Sequence, residues 1–206
     1  MNLSIPAIPS PQEYLARERL AKDKHEYYEG DVVALAGASL AHNRIVINLI
    51  SEIGNYLKDK PCEILPSDIR VTIPSSKAYM YPDATIVCGV PEMEDAQFDT
   101  LRNPRVIFEV LSPSTAAHDR KKKFLFYQQI PSFQEYILID SIDYFVQTGR
   151  KQNDGSWRFD AGSDPDGYLA ISSIRVNIPL REIYRNVFGD RGMFERQSPE
   201  ARLQGL

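Results

Sequence analysis

Two acidic residues lie in apolar segments whose composition is typical of β-strands. Glu109 is the one acid in the run 105–111, and Asp83 follows Pro82 at the start of the run 84–88. A buried, unpaired carboxylate costs several kcal/mol, so Glu109 requires a basic partner or a cation. Acids at the ends of neighbouring strands can converge on one oxygen-seeking ion such as Mg²⁺, which keeps several water ligands. The alternative, in which Asp83 caps a turn and Glu109 pairs with a basic side chain, remains open.

A lysine in the segment after Glu109 could serve the same site. On a helical wheel, one stripe joins two ionic residues to an apolar face, and its members are Asp119, Lys123, Phe126, Tyr127 and Ile130. A helix that directly follows the strand of Glu109 packs on the sheet, so Lys123 can point towards the strand ends while Lys121 and Lys122 project elsewhere. The alternative is a solvated helix end, where an i,i+4 pair contributes only a few tenths of a kcal/mol.

Three further positions are weaker candidates. Glu26 and Glu29 flank two tyrosines, and Glu26 is the better choice for an additional site carboxylate, although acids on strands more often face solvent. His42, in the first turn of a long predicted helix, could reach a phosphate or could cap and pack. His118 precedes the charged run 119–123, which could attract a polyanion or form a solvated helix start. Residues 112–115 lack the GxSxG elbow of serine hydrolases, and no phosphate-binding or dinucleotide glycine motif is present.

Composition restricts the classes of protein to which the chain can belong. Its 206 residues are 43% hydrophobic and 25% charged, which excludes disorder, collagen and a disulfide scaffold. The net charge of -4 argues against binding nucleic acid by bulk charge alone. We expect no membrane span and no secretory leader, because the necessary apolar runs are absent. Cys62 and Cys88 lie in separate segments outside any CxxC or Cys/His cluster, so we expect neither zinc nor a disulfide framework, and a cytoplasmic location.

The periodicity of the chain predicts the elements that position these residues. A helix begins at the Ser10 cap and runs to about residue 24, a hairpin spans 25–28 and 32–35, and a long helix spans 39–59. Strands are predicted at 62–65, 69–73, 78–81, 84–88 and 105–111, with an acidic loop at 91–104. A helix at 119–129 and a strand at 135–140 then complete an α-β-β-β-α-β order.

The remainder of the chain is predicted to extend this core. Strands at 144–147, 157–160 and 171–176 form an antiparallel extension, with a turn at Asp154-Gly155 and a closing helix at 179–188. The fold class is therefore α/β (α+β) with a mixed sheet. We expect one domain over residues 1–188 and a polar C-terminal tail over 189–206.

Three stretches of the sequence resemble one known family in order and spacing. They read EYYEGDVVALAGASLAHNRIVINL, YPDATIVCG and NPRVIFEVLSPSTAAHDRKKKFLFYQQIPSFQEYILID. The chain resembles the Uma family of restriction-endonuclease-like proteins, within the PD-(D/E)xK nuclease superfamily, over about residues 14–184. The resemblance implies a restriction-endonuclease-like core with the α-β-β-β-α-β order deduced above.

The resemblance also implies a site and an activity. Asp83 and Glu109 would hold Mg²⁺ or Mn²⁺ for phosphodiester hydrolysis in DNA, and Glu26 matches the glutamate of the family's hairpin motif. The superfamily usually has a lysine two residues after the glutamate, but this chain has Leu111 there. Lys123 matches the position from which the family is thought to supply that lysine. The competing hypothesis is an inactive nucleic-acid-binding or interaction module on the same fold, and a homodimer is compatible with either.

Overall fold

The computed structural model describes residues 8–75, 77–113 and 115–188. Its helices are α1 (Pro11–Glu18), α2 (Leu40–Leu57), α3 (Ala116–His118), α4 (Phe124–Tyr127) and α5 (Leu180–Ile183). A π-helical turn, Asp119–Lys123, joins α3 to α4, and we call the continuous stretch 116–127 the site helix. The strands are β1 (His25–Tyr28), β2 (Asp31–Ala34), β3 (Cys62–Pro66), β4 (Arg70–Thr72), β5 (Ala78–Met80), β6 (Ala84–Cys88), β7 (Thr100–Leu101), β8 (Val106–Leu111), β9 (Glu135–Asp140), β10 (Val146–Lys151), β11 (Trp157–Gly162), β12 (Tyr168–Ile171) and β13 (Val176–Pro179).

A six-stranded mixed sheet forms the centre of the fold, in the order β11-β10-β9-β8-β6-β3. The pair β8–β9 is parallel, and the site helix lies in the connection between these strands; the other pairs are antiparallel. Together with α2, strands β3, β6, β8 and β9 give the predicted α-β-β-β-α-β order, which is confirmed. The stretches between β3 and β6 and between β6 and β8 contribute strands to the second sheet.

The second sheet has five strands in the order β2-β1-β5-β4-β7. Its first hairpin joins β1 to β2 through Glu29 and Gly30, which both have positive φ (51° and 107°). A two-residue loop with φ above zero at both positions matches the twist of the strands it joins, so this predicted hairpin follows from local sequence. Strands β12 and β13 form a separate two-stranded ribbon.

Strand β8 is buried along its whole length, because both faces of the central sheet are covered. Phe108 and Val110 face a core that includes Ile45 and Leu49 of α2. The opposite face of β8 belongs to a second core, which contains residues of the site helix and of the five-stranded sheet, among them Tyr127. Side chains alternate along a strand, so Glu109 shares this second face. The predicted burial of β8 on both faces is confirmed, and the Glu109 side chain is therefore surrounded by other protein groups instead of solvent.

Several predicted boundaries are wrong. Helix α1 ends at Glu18 instead of near residue 24, because the Glu18 carboxylate accepts the backbone N–H of His25 and turns the chain into β1. The acidic loop 91–104 contains β7, which pairs with β4. The site helix begins at Ala116, before the predicted 119, and α5 is much shorter than the predicted 179–188.

The predicted strand 171–176 is interrupted. A 3-10 turn, Ser172–Ile174, and the left-handed Arg175 (φ 56°) separate β12 from β13, so this stretch is the turn of the ribbon. The predicted strand at 144–147 is displaced to β10, which begins at Val146. The predicted tail 189–206 lies outside the described residues, and the assignment of 1–188 to one domain stays a prediction.

Cys62 and Cys88 form a disulfide, which sequence spacing did not indicate. They occupy directly opposed positions of the antiparallel strands β3 and β6, so sheet register brings the two sulfur atoms together. One crosslink does not make a disulfide framework. The expectation of a cytoplasmic location rested on two unpaired cysteines, and the crosslink removes that support.

Candidate active site

Asp83 and Glu109 are held side by side by the pairing of β6 with β8. The register joins Ala84 to Phe108, so Asp83 comes opposite Glu109 at the next position. The backbone N–H of Asp83 donates to the carbonyl of Phe108 (3.1 Å), and the Asp83 Oδ2 accepts the backbone N–H of Val110 (2.6 Å). Asp83 therefore bonds to both sequence neighbours of Glu109. Directly opposed residues in an antiparallel pair point to the same face, so the two carboxylates share one side of the sheet.

Lys123 enters the site from the site helix. Its Nζ donates to Glu109 Oε1 (3.2 Å) and Oε2 (3.3 Å) and lies 3.5 Å from Asp119 Oδ1. Asp119 and Lys123 are the first and last residues of the π-helical turn, a rare conformation that occurs often at functional sites. One turn further, the Tyr127 hydroxyl donates to Glu109 Oε1 (3.0 Å). Two members of the predicted stripe, Lys123 and Tyr127, thus contact Glu109.

The five-stranded sheet supplies a further carboxylate. Glu26 Oε1 lies 3.0 Å from Lys123 Nζ and accepts the backbone N–H of Tyr81 (2.9 Å). The Tyr28 hydroxyl donates to Glu26 Oε2 (2.6 Å), and His118 Nε2 lies 3.0 Å from the same hydroxyl. These bonds hold Glu26 towards the central sheet. Three carboxylates from three elements, those of Glu26, Glu109 and Asp119, therefore surround one ammonium group.

Burial and charge together set the protonation of this cluster. Lys123 is only 5% exposed, and burial lowers its pKa, but the charges of Glu109, Glu26 and Asp119 outweigh burial and raise that pKa well above the ordinary value. Burial likewise raises the pKa of Glu109 and of Asp119, while the charge of Lys123 opposes the rise. The direction of this shift favours the charged form of Lys123 at neutral pH.

An open cleft of about 780 Å³ gives access to the site. Asp83, Glu109, Asp119 and Lys123 line its floor, and the start of α2 with His42 lines one wall. Further cleft residues include Lys22, Asp23, Lys24, Ser112 and Thr115. The arrangement therefore offers carboxylate oxygens and lysine ammonium groups to a ligand in the cleft.

The structure bears on the alternatives that the sequence left open. Glu109 pairs with a basic side chain, Lys123, and Asp83 accepts a backbone N–H, as the alternative for these two acids described, so their role as metal ligands stays a prediction. The solvated-helix alternative for Lys123 and Asp119 is wrong, because both are buried among carboxylates, and Lys123 is not the partly exposed residue expected of a helix start. Glu26 is buried whereas Glu29 is exposed, so only Glu26 reaches the cluster. Lys121 is exposed, and Lys122 Nζ lies 4.4 Å from the centre of the Tyr28 ring, so both project elsewhere than Lys123, as expected.

Sequence reasoning missed two contacts of the site. The sequence places Tyr127 on the apolar face of the site helix, where its spacing of four residues from Lys123 is the signal for a shared target. The sequence makes His42 only a weak candidate for phosphate contact, whereas its Nε2 lies 2.9 Å from Asp83 Oδ1. Only the tertiary structure reveals the second contact, since no local pattern links α2 to the turn before β6.

The donors present fit a divalent cation through two carboxylates. Among the residues that the structure describes, no three or more His, Cys, Asp or Glu side chains are grouped to hold a metal. Asp83 and Glu109 nevertheless offer oxygen donors beside one another on the cleft floor, and carboxylates outnumber cations around them. Mg²⁺ commonly binds through one or two carboxylates and keeps water or phosphate oxygens as its other ligands. The pair therefore suits such an ion.

Sequence comparison places the chain among bacterial relatives. The uncharacterized protein sll1609 of Synechocystis sp. is 40% identical over 150 residues, covering 73% of this chain and 85% of that protein. The uncharacterized protein slr1290 of the same organism is 34% identical over 178 residues, covering 86% of this chain and 92% of that protein. The family model Uma2, described as "Putative restriction endonuclease", matches residues 11–175.

Structural comparison agrees in fold. A crystal structure described as a "putative nuclease belonging to DUF820" from Anabaena variabilis superposes with a TM-score of 0.70 at 18% identity, covering 87% of this chain and 99% of that one. The fold is therefore restriction-endonuclease-like, as expected. Within the described part of the chain, no helix has the length and apolar character that crossing a bilayer requires. With a family model matched across most of its length, the chain belongs to the Uma2 family of nuclease-like proteins.

Proposed function

We propose that this protein is a metal-dependent endonuclease that hydrolyses phosphodiester bonds of DNA. One observation carries the proposal: a buried ammonium lies among three carboxylates at the floor of a cleft that Asp83 also lines. A fold needs no such cluster for stability, because replacing buried ion pairs with apolar residues is often neutral or stabilising. The cluster is therefore better explained by chemistry than by folding.

Asp83 and Glu109 are the residues that would hold Mg²⁺ or Mn²⁺. When bound, such an ion polarises the scissile phosphate and lowers the pKa of its attacking water. Glu109 lies in β8, and Asp83 directly precedes β6 and bonds to the backbone of both sequence neighbours of Glu109, which restrains the two residues relative to each other. Tyr127 orients Glu109 through its hydroxyl, and Val110 orients Asp83 through its backbone N–H.

Lys123 acts in this proposal as a fixed positive charge. Its raised pKa makes it a poor proton acceptor, so it stabilises negative charge developing on the phosphate and does not serve as the general base. Glu26 holds the ammonium from the side opposite the central sheet. Because the charge is buried and its position is fixed by three acids, little reorganisation accompanies the reaction.

DNA is the substrate that the cleft and the family description support best. Lys22 is exposed on the cleft wall, and Lys24 lines the same wall while donating to the Ser67 carbonyl (3.0 Å). These two lysines supply cationic groups on the cleft wall, although acidic residues outnumber lysines in the cleft lining and Lys24 also pairs with Asp68 (2.6 Å). Phosphate contacts of this kind position a nucleic acid without reading its sequence. Action in the cytoplasm, where chromosomal DNA of a bacterium is found, stays part of the proposal.

Cleavage assays test the proposal directly. Wild-type protein should cut supercoiled, single-stranded or branched DNA with Mg²⁺ or Mn²⁺ and not with EDTA. Asp83→Asn and Glu109→Gln should each lower kcat more than about 100-fold, since loss of the bound ion removes several kcal/mol of transition-state stabilisation. Asp23→Asn is the matched control, because it removes one exposed carboxylate from the same cleft without touching the cluster. Equal activity in all three variants would refute the site assignment.

The second candidate is a nucleic-acid-binding module without turnover. The observation that favours it is the full engagement of Lys123 by three acids, which leaves its ammonium no unshared proton for a phosphate. This candidate predicts salt-sensitive DNA binding that is unchanged by Asp83→Asn, together with no cleavage under any divalent ion. Binding without cleavage would therefore favour the module over the enzyme.

A further inference from the structure

His42 is fixed to a rigid part of the fold and faces the cleft. It occupies the first turn of α2, and its backbone N–H donates to the Oγ of the N-cap Ser39 (3.1 Å). The same helix is anchored in the core by Ile45 and Leu49, which are fully buried. A side chain on a packed helix is positioned more accurately than one on a loop. The imidazole is thus held at a constant distance from the strands of the central sheet.

The imidazole contacts the one candidate metal ligand that Lys123 does not hold. His42 Nε2 lies 2.9 Å from Asp83 Oδ1, and both side chains are mostly buried, at 15% and 20% exposure. An ionised carboxylate only accepts hydrogen bonds, so the proton of this bond belongs to His42 Nε2. The other oxygen, Oδ2, accepts the backbone N–H of Val110. Two donors from different elements therefore fix the rotation of the Asp83 carboxylate.

These bonds leave room for a ligand at Asp83. A carboxylate has about four lone-pair sites, and two donors occupy two of them. Groups that orient a metal-ligating side chain typically change metal affinity or activity by about 10–100-fold when they are removed.

We propose that His42 is a positioning residue that orients Asp83, through its Nε2–H, for binding a divalent cation. This inference rests on the proposed function, in which Asp83 is a metal ligand. It assigns to α2 a direct part in the site, whereas a purely structural histidine would only help dock the helix. The two roles predict different metal affinities when His42 is replaced by a side chain whose donor does not reach Asp83, or by one whose donor does.

Three substitutions separate these roles. Gln places its amide N–H close to the position of imidazole Nε2, whereas Asn reaches only as far as Nδ1 and Ala has no donor. Mn²⁺ binding is measured by calorimetry on the full chain, and kcat and KM are measured on DNA. We expect His42→Ala and His42→Asn to weaken Mn²⁺ binding about 10–100-fold, and His42→Gln to stay within about threefold of wild type. The loss in activity should be recovered in part at higher Mn²⁺ concentration.

Asn48→Ala is the matched structural control. It removes the hydrogen bonds by which α2 docks on the carbonyls of Ile183 (3.0 Å) and Arg185 (2.9 Å), while leaving Ser39 and the contact between His42 and Asp83 in place. Its Mn²⁺ affinity should therefore equal that of wild type. If Asn48→Ala weakens Mn²⁺ binding as much as His42→Ala does, the role of His42 is structural and the inference is wrong.

The remaining outcomes distinguish the inference from the proposed function. If His42→Ala binds Mn²⁺ and cuts DNA as wild type does, or if His42→Gln is as impaired as His42→Ala, only the positioning role is refuted. If wild-type protein binds no Mn²⁺ and cuts no DNA, the proposed function fails, and the positioning role fails with it. Gln rescue combined with Ala and Asn loss supports both.

Discussion

Removal of the Lys123 charge tests the electrostatic description of the cluster. Lys123→Met keeps much of the apolar side chain and deletes the ammonium that lies 3.0 Å from Glu26, 3.2 Å from Glu109 and 3.5 Å from Asp119. Breaking a buried ion pair by removing one partner typically costs about 3–5 kcal/mol, because the remaining charge is left uncompensated. We expect the free energy of unfolding at pH 7 to fall by this amount.

The loss should depend on pH in a defined direction. Burial raises the pKa of Glu109, and removing Lys123, whose charge lowers that pKa, raises it further. The folded variant then binds more protons than the unfolded chain at pH values between about 4 and the raised pKa. The stability that protonated Glu109 contributes to the variant is fully present below the pKa of Glu109 in the unfolded chain. It is lost as pH rises through the pKa of Glu109 in the folded variant. The difference from wild type should therefore grow as pH rises above the ordinary glutamate pKa of about 4 and shrink towards acid pH.

Urea unfolding at several pH values measures this difference. Trp157 is the single tryptophan, and its ring lies 5.0 Å from that of Phe133 in the core, so its fluorescence reports unfolding. Lys121→Met is the control, because Lys121 is an exposed neighbour on the same helix and should change stability by less than about 0.5 kcal/mol. Lys122 is unsuitable for this purpose, since it contacts the Tyr28 ring.

A double variant separates charge from packing. If uncompensated charge causes the loss, Lys123→Met combined with Glu109→Gln should recover about 1–3 kcal/mol relative to the sum of the single effects. A loss that is no larger than that of Lys121→Met, or one that does not change between pH 5 and pH 8, would refute the reasoning. An additive double variant would show that Lys123 and Glu109 are not coupled.

Two further predictions concern stability away from the site. Asp99 accepts two hydrogen bonds from Arg19 and pairs with the buried Arg70, and these partners lower its pKa, so Asp99→Asn should cost about 3 kcal/mol in urea unfolding at pH 7. The contribution of Asp99 should be lost as pH falls through its lowered pKa, and an effect below about 1 kcal/mol would contradict the pairing. The disulfide joins residues 26 apart, so replacing Cys62 and Cys88 together by Ala should lower stability by about 3 kcal/mol relative to the oxidised protein. If dithiothreitol lowers the melting temperature of wild type no more than that of the double variant, the crosslink is absent in solution.

Local features of the fold were predictable where neighbouring residues determine the outcome. The capping box of Ser10 and Glu13 begins α1, and the Ser39 cap begins α2, as their side chains indicate. The turn at Glu29 and Gly30 likewise follows from local backbone preference. Boundaries failed where a distant group intervened, as at α1, whose end depends on the contact of Glu18 with His25. Propensity describes a chain segment alone, and such contacts override it.

The sequence by itself determined the order of the core elements and the identity of four candidate residues, Asp83, Glu109, Lys123 and Glu26. Apolar periodicity singles out Asp83, Glu109 and Lys123, because a charged residue in an apolar stripe or strand is conspicuous and costly to bury. Glu26 rests instead on its place beside two tyrosines and on the family resemblance. Only the tertiary structure decided that Lys123 is enclosed by three acids, that Glu26 reaches it from another sheet and that His42 holds Asp83. The physical reason is that hydrogen bonds and ion pairs act over about 3 Å in space, and sequence spacing reports such proximity only within one helix or one strand.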